Sequence, residues 1–305
     1  MYTSSQYEFP QLADGVWAAI ARPGAGATSN SGIVDTGRAA LVFDTSMTPK
    51  GAHEIRTAAR ILSGKEPLEV VNSHWHLDHT LGNRVFGGCT IRSTFRTLEM
   101  IERRAAPVAD QVNDPSWGRF AAAAENRRNA ETRPLYRAEL ECEAAARRDL
   151  EAGRGELELR APDEVFRERY VYPGGRGLLL VEGAGHSESD TALYVPEADV
   201  LFTGDLVVSE THPDLSASDP ERWLKALTGV EATKPKFIVP GHGPVADVLA
   251  CATLRSYLGQ LAELAAEPGD AEMPPEFAEF RRPSLFPGNV QRLREPPPDR
   301  AEPTD

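Results

Sequence analysis

The feature that most constrains the fold is a short segment with three histidines and one aspartate within six residues. It reads Ser73-His74-Trp75-His76-Leu77-Asp78-His79 and follows directly on the apolar run Leu68–Ser73, a predicted strand. A strand followed by a tight loop can aim His74 and His76 at one point, while Asp78 and His79 turn toward a second point. Imidazole and carboxylate are the ligands that Zn²⁺ or Fe²⁺ prefers when cysteine is absent. The fold must therefore place a metal site at the end of this strand.

Three later side chains, each predicted just after an apolar strand, complete a ligand set. They are His186 in Gly183-Ala184-Gly185-His186-Ser187, Asp205 at the end of Leu201-Phe202-Thr203-Gly204-Asp205, and His242 in Pro240-Gly241-His242-Gly243. The glycines beside His242 permit unusual backbone angles, and the small residues beside His186 let the backbone approach a metal. Singly, each could be an ordinary cap or turn residue. Together and in this order they are a strong indication of a metal site.

This series of motifs resembles the metallo-β-lactamase superfamily, from about Gly15 to Leu254 apart from the stretch after Thr94. The resemblance implies an α/β (α+β) fold, a four-layer αββα sandwich with the metals at one edge of the two sheets. The residues that would bind the first metal are His74, His76 and His186. The residues that would bind the second are Asp78, His79 and His242, and Asp205 would bridge the two metals.

Asp44 ends the predicted strand Ala40–Asp44, and Val42-Phe43-Asp44-Thr45 resembles the first motif of the same family. If Asp44 accepts a hydrogen bond from a ligand imidazole such as His79, it orients that ligand. The alternative is a plain turn residue at the end of a strand. His212, in Glu210-Thr211-His212-Pro213, is predicted on a loop near the cleft, either as a substrate contact or as a solvated side chain.

Two Zn²⁺ ions, or alternatively Fe²⁺ or Mn²⁺, would hold a shared hydroxide, since each lowers the pKa of bound water toward about 7. Asp78 would orient this nucleophile and then shuttle its proton. Such a site attacks an ester, thioester, lactone, β-lactam or phosphodiester, so the motifs predict a zinc-dependent metallo-hydrolase and leave its small-molecule substrate open. Asp205 in place of a cysteine resembles the glyoxalase II, lactonase and RNase Z branches. A mononuclear-iron persulfide dioxygenase and an RNase Z-like phosphodiesterase are the alternatives.

The remaining sequence mixes strands and helices without regular alternation, which argues against a Rossmann or TIM fold. The predicted strands are 15–20, 32–35, 40–44, 68–73, 177–182, 192–195, 200–202 and 237–239. The predicted helices are Pro49 to about Leu62 and Val245 to about Ala266. Residues 1–266 would form the metallo-hydrolase domain, and 267–305 would be a proline-rich tail. In this tail Phe277, Phe280 and Phe286 predict packing, and Pro296-Pro297-Pro298 an extended or disordered end.

His186 follows His79 by 107 residues, many more than a compact sandwich needs. Residues 94–170 are rich in Ala, Glu and Arg and are predicted to be an inserted set of helices, one of them beginning at Pro134 and ending at Gly153 to Gly155. This insertion could act as a lid over the metal cleft or as an element of a homodimer. Its candidate apolar contacts are Trp117, Phe120, Leu135 and Tyr136.

The overall charge and the cysteine pattern exclude several classes of protein. The formal net charge of −13 disfavours a nucleic-acid partner. No apolar run approaches the ~18 residues of a membrane span. The N-terminus lacks the basic and apolar regions of a secretory signal, which predicts a cytoplasmic protein. Cys89, Cys142 and Cys251 are too far apart for a paired framework and fit free thiols in a reducing compartment.

Overall fold

Two β-sheets face each other in the computed structural model, which describes residues 2–114, 118–172, 176 and 179–295. The strands of the first sheet are β1 (Tyr7–Glu8), β2 (Gln11–Ala13), β3 (Val16–Ala21), β4 (Ser31–Asp35), β5 (Ala40–Phe43), β6 (Pro67–Val71), β7 (Thr90–Thr94) and β8 (Glu164–Phe166). The strands of the second are β9 (Arg169–Val171), β10 (Leu179–Gly183), β11 (Asp190–Val195), β12 (Val200–Val208) and β13 (Phe237–His242).

The first sheet runs in the order β1-β3-β4-β5-β6-β7-β8, with β2 also paired to β3, and the second in the order β13-β12-β11-β10-β9. From β5 to β8 the strands are parallel, and so is the pair β12 and β13. Parallel strands are covered on both faces, so their sequences are nearly continuous apolar runs. All of Ala40–Phe43 and Val200–Val208 is buried accordingly.

The helices lie outside the two sheets, some packed on a sheet face and some on other helices. They are α1 (Pro49–Ser63), α2 (Leu77–Thr80), α3 (Phe95–Met100), α4 (Ala106–Asn113), α5 (Gly118–Ala130), α6 (Pro134–Ala152), α7 (Pro220–Thr233), α8 (Leu249–Ala266) and α9 (Leu285–Arg294), with a π-helical turn Ile101–Ala105 between α3 and α4. The predicted start of α1 is confirmed: Thr48 caps it by accepting from the Gly51 N–H, and Gly64 ends it in the left-handed conformation.

Three apolar layers hold the sandwich together. Between the sheets, Phe43 meets Phe202 with the ring centroids 5.9 Å apart. On the outside of the first sheet, Ile55 of α1 is fully buried against strands β4 to β6. On the outside of the second, Trp223 of α7 and Tyr257 of α8 share one core with the tail. The predicted αββα architecture is confirmed.

The structure corrects two of the predicted helices. Within the stretch predicted as helical, Glu164–Phe166 forms β8, because it pairs with β7 and buries Phe166 between the sheets. Arg169–Val171 likewise forms β9. The helix predicted from Val245 begins only at Leu249, since Ala246 pairs with Ile238 of β13 instead.

Other differences concern the ends of strands and the tail. β12 continues through Asp205 to Val208, whereas the predicted strand stopped at Phe202. The predicted packing of the tail is confirmed, because Phe277 and Phe286 are buried in the core beneath α8. Trp117, Pro296 to Pro298 and part of the predicted strand 177–182 lie outside the described residues. No helix in the described part of the chain is long and apolar enough to cross a membrane.

Candidate metal centre

The predicted ligand residues meet at one edge of the two sheets, where strands of both sheets end. His74 and His76 lie in the loop after β6, and Asp78 and His79 lie in the short helix α2. His186 lies between β10 and β11, Asp205 lies within β12, and His242 is the last residue of β13. Two groups result: His74, His76, His186 and Asp205 form one, and Asp78, His79 and His242 form the other.

In the first group, ring nitrogens converge on one point. His76 Nδ1 lies 2.9 Å from His74 Nε2 and 2.9 Å from His186 Nε2. Asp205 Oδ2 lies 3.4 Å from His186 Nε2. Three imidazole nitrogens around one point cannot all satisfy each other as donors and acceptors, because each neutral ring has one lone pair and one N–H. This arrangement is what a cation between them requires.

Asp205 also touches the second group. Its Oδ1 lies 3.2 Å from His79 Nε2, and its Oδ2 lies 3.2 Å from His242 Nε2. Asp78 completes this group, with its Oδ2 3.3 Å from His242 Nε2 and 3.6 Å from His79 Nε2. The Asp205 carboxylate therefore contacts both groups, as a bridging ligand must.

Asp44 orients one histidine of each group. His79 Nδ1–H donates to Asp44 Oδ2 at 2.8 Å, the contact expected from the sequence. The Ser73 hydroxyl donates to the same oxygen at 2.7 Å and lies 2.9 Å from His74 Nδ1. Because Ser73 uses its only hydroxyl proton on the carboxylate, His74 Nδ1–H must donate to Ser73. Both imidazoles therefore present the lone pair of Nε2 to the site.

Other backbone groups fix the remaining geometry. His242 Nδ1–H donates to the Thr28 carbonyl at 2.8 Å, which leaves Nε2 for the site. Gly241 packs so tightly against Asp205 that a Cβ there would overlap Asp205 Oδ1. The glycines around His242 are thus needed for close packing as well as for backbone angles.

Charge is distributed unevenly between the two groups. Burial lowers the pKa of His74 and brings that of His186 to about 4, so both rings are neutral. Burial also opposes charge on His79 and His242, but the nearby carboxylates, chiefly Asp78 and Asp205, raise the pKa of His79 and bring that of His242 to about 9. The carboxylates therefore favour positive charge at the second group, which a divalent cation can supply in place of protons.

The donor set fits a metal pair. His79 Nε2 and Asp205 Oδ1 are buried, and neither makes a hydrogen bond within the described part of the chain. Unpartnered buried polar atoms are costly, and a cation between them removes that cost. Nitrogen and carboxylate donors without cysteine suit Zn²⁺, Fe²⁺ or Mn²⁺.

A cleft of about 400 Å³ opens onto this centre. Its lining residues are Thr28, Met47, Trp75, His76, Leu77, Asp78, Ala105, Val108, Asp205, Asp214, Ser216, His242 and Arg282. Ala105 and Val108 come from the region predicted as an insertion, and Arg282 comes from the tail. Trp75 is held in the wall by Glu188, which accepts from its indole N–H at 2.9 Å and pairs with Arg104 at 2.8 Å.

His212 is a correction. Its side chain has no exposed surface and lies against Tyr257 and Phe280, with Nδ1 2.9 Å from the Tyr257 hydroxyl. It is not among the residues of the cleft, so it is neither a substrate contact nor a solvated side chain. Pro213, which follows His212, does not indicate that the tail folds back over the loop that carries this histidine.

Sequence reasoning missed Ser73 and Asp190. Ser73 stands between the strand and His74, so its position beside a ligand was the available signal. Asp190 is fully buried, accepts from the Ser187 N–H and hydroxyl at 3.0 and 2.8 Å, and so shapes the loop that carries His186. Burial raises the pKa of Asp190 to about 7.

Comparison with known proteins gives a consistent picture. The family model for the metallo-beta-lactamase superfamily matches residues 25–88 and 116–242. "Metallo-beta-lactamase domain-containing protein 1" of Xenopus laevis is 38% identical over 81 residues, which span 25% of this chain and only 34% of that protein.

Two solved structures share the fold. A metallo-beta-lactamase from Pontibacter korlensis has a TM-score of 0.60 at 20% identity, covering 83% of this chain and 99% of that one. The metallo-beta-lactamase FIM-1 from Pseudomonas aeruginosa, in a mono-zinc form, has a TM-score of 0.58 at 16% identity, covering 84% of this chain and 96% of the other. At these identities the likeness concerns the arrangement of the two sheets and their covering helices.

Proposed function

This chain belongs to the metallo-β-lactamase superfamily, and from that membership we propose that it is a hydrolase that binds two zinc ions and acts on a small carbonyl substrate. The observation that carries the proposal is the contact of the Asp205 carboxylate with both groups of candidate ligands. Asp205 Oδ1 and His79 Nε2 support it further, because both are buried without a hydrogen-bond partner in the described ranges.

The metal ions would lower the pKa of a bound water toward about 7 and polarise the carbonyl oxygen of the substrate. The protein's part is to hold the ligands and to move a proton. Burial opposes the charge of Asp78, but the neighbouring His79 and His242 hold the pKa of its carboxyl well below its ordinary value. Asp78 therefore stays ionised in the lining of the cleft, where it would orient the attacking water and pass its proton on to the leaving group.

The volume and the lining of the cleft support a small substrate. The volume of about 400 Å³ fits a small molecule, and the lining combines aromatic and aliphatic side chains with a few polar groups. The net charge of −13, together with Asp214 in the lining of the cleft, disfavours a polyanionic substrate such as a nucleic acid.

The test combines metal analysis with a panel of substrates. The zinc-loaded protein should contain two zinc ions per chain and hydrolyse at least one of an ester, a thioester, a lactone and a β-lactam. A phosphodiester, assayed beside them, should be a poor substrate. One iron and no zinc in the protein as isolated would instead favour the persulfide dioxygenase alternative.

Asp78→Asn should lower kcat at least about a hundredfold, because the amide cannot accept the proton. The control is Asp35→Asn, the same change at the end of β4, where Asp35 pairs with Lys65 away from the cleft. Circular dichroism should show both variants folded. Turnover that survives in Asp78→Asn would contradict the role given to this carboxylate.

A further inference from the structure

Two kinds of side chain line the cleft at the metal centre. Met47, Trp75 and Val108 are apolar, whereas Asp214, Ser216 and Arg282 are polar. Arg282 is the only cationic side chain other than histidine among the described residues that line this cleft. It lies in the tail, which the family model does not match.

The Arg282 guanidinium is available to a ligand. Across residues 2–114, 118–172, 176 and 179–295, it makes no ion pair and no side-chain hydrogen bond, although its side chain is half-buried. Asp214, the acidic group beside it in the cleft, accepts instead from the Ser216 N–H at 2.8 Å. An arginine that is partly desolvated yet unpaired forgoes the strong hydrogen bonds that its five N–H groups can make.

The backbone holds Arg282 in place from both sides. Before it, the Arg281 N–H donates to Glu210 O and Arg281 O accepts from the His212 N–H, both at 2.9 Å. After it, the Ser284 hydroxyl donates to Glu139 of α6 at 2.5 Å. Arg282 itself has φ = 60°, the left-handed region that a non-glycine residue enters at a cost of about 1–2 kcal/mol. Such strain persists where the surrounding structure imposes it, often at ligand sites.

We propose that Arg282 binds a carboxylate of the substrate, so that the preferred substrates are acyl compounds with a carboxylate on one side and an apolar portion on the other. This inference rests on the proposed hydrolase function of the same site. The guanidinium fork matches the two oxygens of a carboxylate, and Trp75, Met47 and Val108 receive the apolar portion. A doubly charged phosphate is the poorer ligand, because Asp214, which is assigned no metal, lines the same cleft and repels the second charge.

A binding experiment tests this without turnover. The probes are 3-mercaptopropionate, its neutral amide and mercaptoethylphosphonate, whose thiol groups can bind zinc. Titration calorimetry on the zinc-loaded wild-type protein should show the carboxylate binding about 10- to 100-fold more tightly than the amide. In Arg282→Gln this advantage should disappear, and in Arg282→Lys part of it should return.

Arg281→Gln is the matched control, since it removes an exposed arginine one residue away and leaves the backbone contacts in place. It should keep the full preference for the carboxylate. A wild-type protein that gives the carboxylate no advantage, or an advantage that survives in Arg282→Gln, overturns the inference. Tighter binding of the phosphonate than of the carboxylate overturns the assignment to a carboxylate.

Kinetics separate this inference from the function on which it rests. For an ester and its carboxylate-bearing analogue, Arg282→Gln should raise KM for the charged analogue about 10- to 100-fold more than KM for the neutral ester, whereas Arg281→Gln should change neither KM. If the wild-type enzyme hydrolyses neither, the proposed function fails while the thiol titration still decides the role of Arg282. If it hydrolyses both and the variant treats both as before, the function stands and this inference fails.

Discussion

At the scale of single residues, the centre depends on one carboxylate that binds no metal in our assignment. Asp44 accepts from His79 directly and is linked to His74 through Ser73, so it orients one candidate ligand in each group. It sits at φ = 63°, a left-handed angle that Asp and Asn tolerate better than most residues. Its position at the end of β5 brings its carboxylate into contact with His79 and, through Ser73, close to His74.

We predict that Asp44→Asn weakens zinc binding about 10- to 100-fold while the protein stays folded. Asparagine keeps the shape and suits the left-handed backbone, but it has one acceptor oxygen where Asp44 uses two. Asp44 Oδ2 accepts from His79 and from the Ser73 hydroxyl, and Oδ1 accepts from the Ser73 N–H. Competition titration with a chromogenic chelator measures the affinity, with Asp35→Asn as the control. An affinity within about twofold of the wild type would show that the Asp44 contacts are dispensable.

The candidate ligands could be found from the sequence because each is a histidine or aspartate beside a strand end in a motif of fixed spacing. Ser73 and Arg282 could not be found in this way. The role of Ser73 depends on Asp44, which lies 29 residues earlier, and Arg282 reaches the cleft only because the tail folds back over the second sheet.

At the scale of elements, the parallel pair β12 and β13 positions Asp205 and His242. Asp205 lies inside β12, and the pairing shows register shifts between Phe202 and Gly204 and again between Gly204 and Val208. Such irregularities re-aim side chains within a ladder. A Cβ at Gly241 on β13 would overlap the Asp205 carboxylate, so the absence of a side chain there makes room for it.

We predict that Gly241→Ala lowers the free energy of unfolding by about 1–3 kcal/mol and weakens zinc binding, because the new methyl group displaces Asp205. Gly259→Ala on the exposed face of α8 is the control, since a Cβ there meets nothing within 4 Å. It should leave zinc binding unchanged and stabilise the protein by about 0.5–1 kcal/mol. Urea unfolding and chelator competition give the two quantities. Wild-type zinc affinity in Gly241→Ala would contradict the close packing.

Some strands could be predicted from the sequence pattern and others could not. Strands with continuous apolar runs, such as β5 and β6, were predicted within one or two residues of their observed ends. β8 was predicted as part of a helix, because Glu164, Val165 and Phe166 gain strand structure only by pairing with β7, about 70 residues away in the sequence. Local composition does not predict pairing with a strand so far away in the sequence.

At the scale of the whole molecule, the tail packs into the hydrophobic core that α7 and α8 form on the second sheet. Phe277, Phe286 and Val290 are buried with α7 and α8, and the tail closes over His212. Asn289 also reaches into this region, where its Nδ2–H donates to Pro213 O at 2.7 Å. The tail thus serves two purposes, since it completes the core and carries Arg282 to the cleft.

Burial of His212 beneath the tail should make part of the stability depend on pH. Burial lowers the pKa of His212 to about 4, whereas an unfolded histidine titrates near 6.5. Between these values the unfolded chain binds a proton that the folded chain does not, so stability falls as the pH drops from about 6.5 to about 4. Above pH 6.5 the residue is neutral in both states and makes no difference.

We therefore predict that His212→Asn flattens the loss of stability between pH 6.5 and 4, since asparagine does not titrate and its carbonyl can still accept from Tyr257. Urea unfolding at half-unit steps of pH, with the same metal content, measures the difference from the wild type. Loss of the metal in acid affects both proteins and cancels in that difference. Gly259→Ala on the exposed face of α8, which changes no titratable group, is the control and should keep the wild-type slope. Parallel profiles of unfolding free energy against pH for wild type and His212→Asn would contradict this prediction. They would mean that water and protons reach His212 beneath the tail.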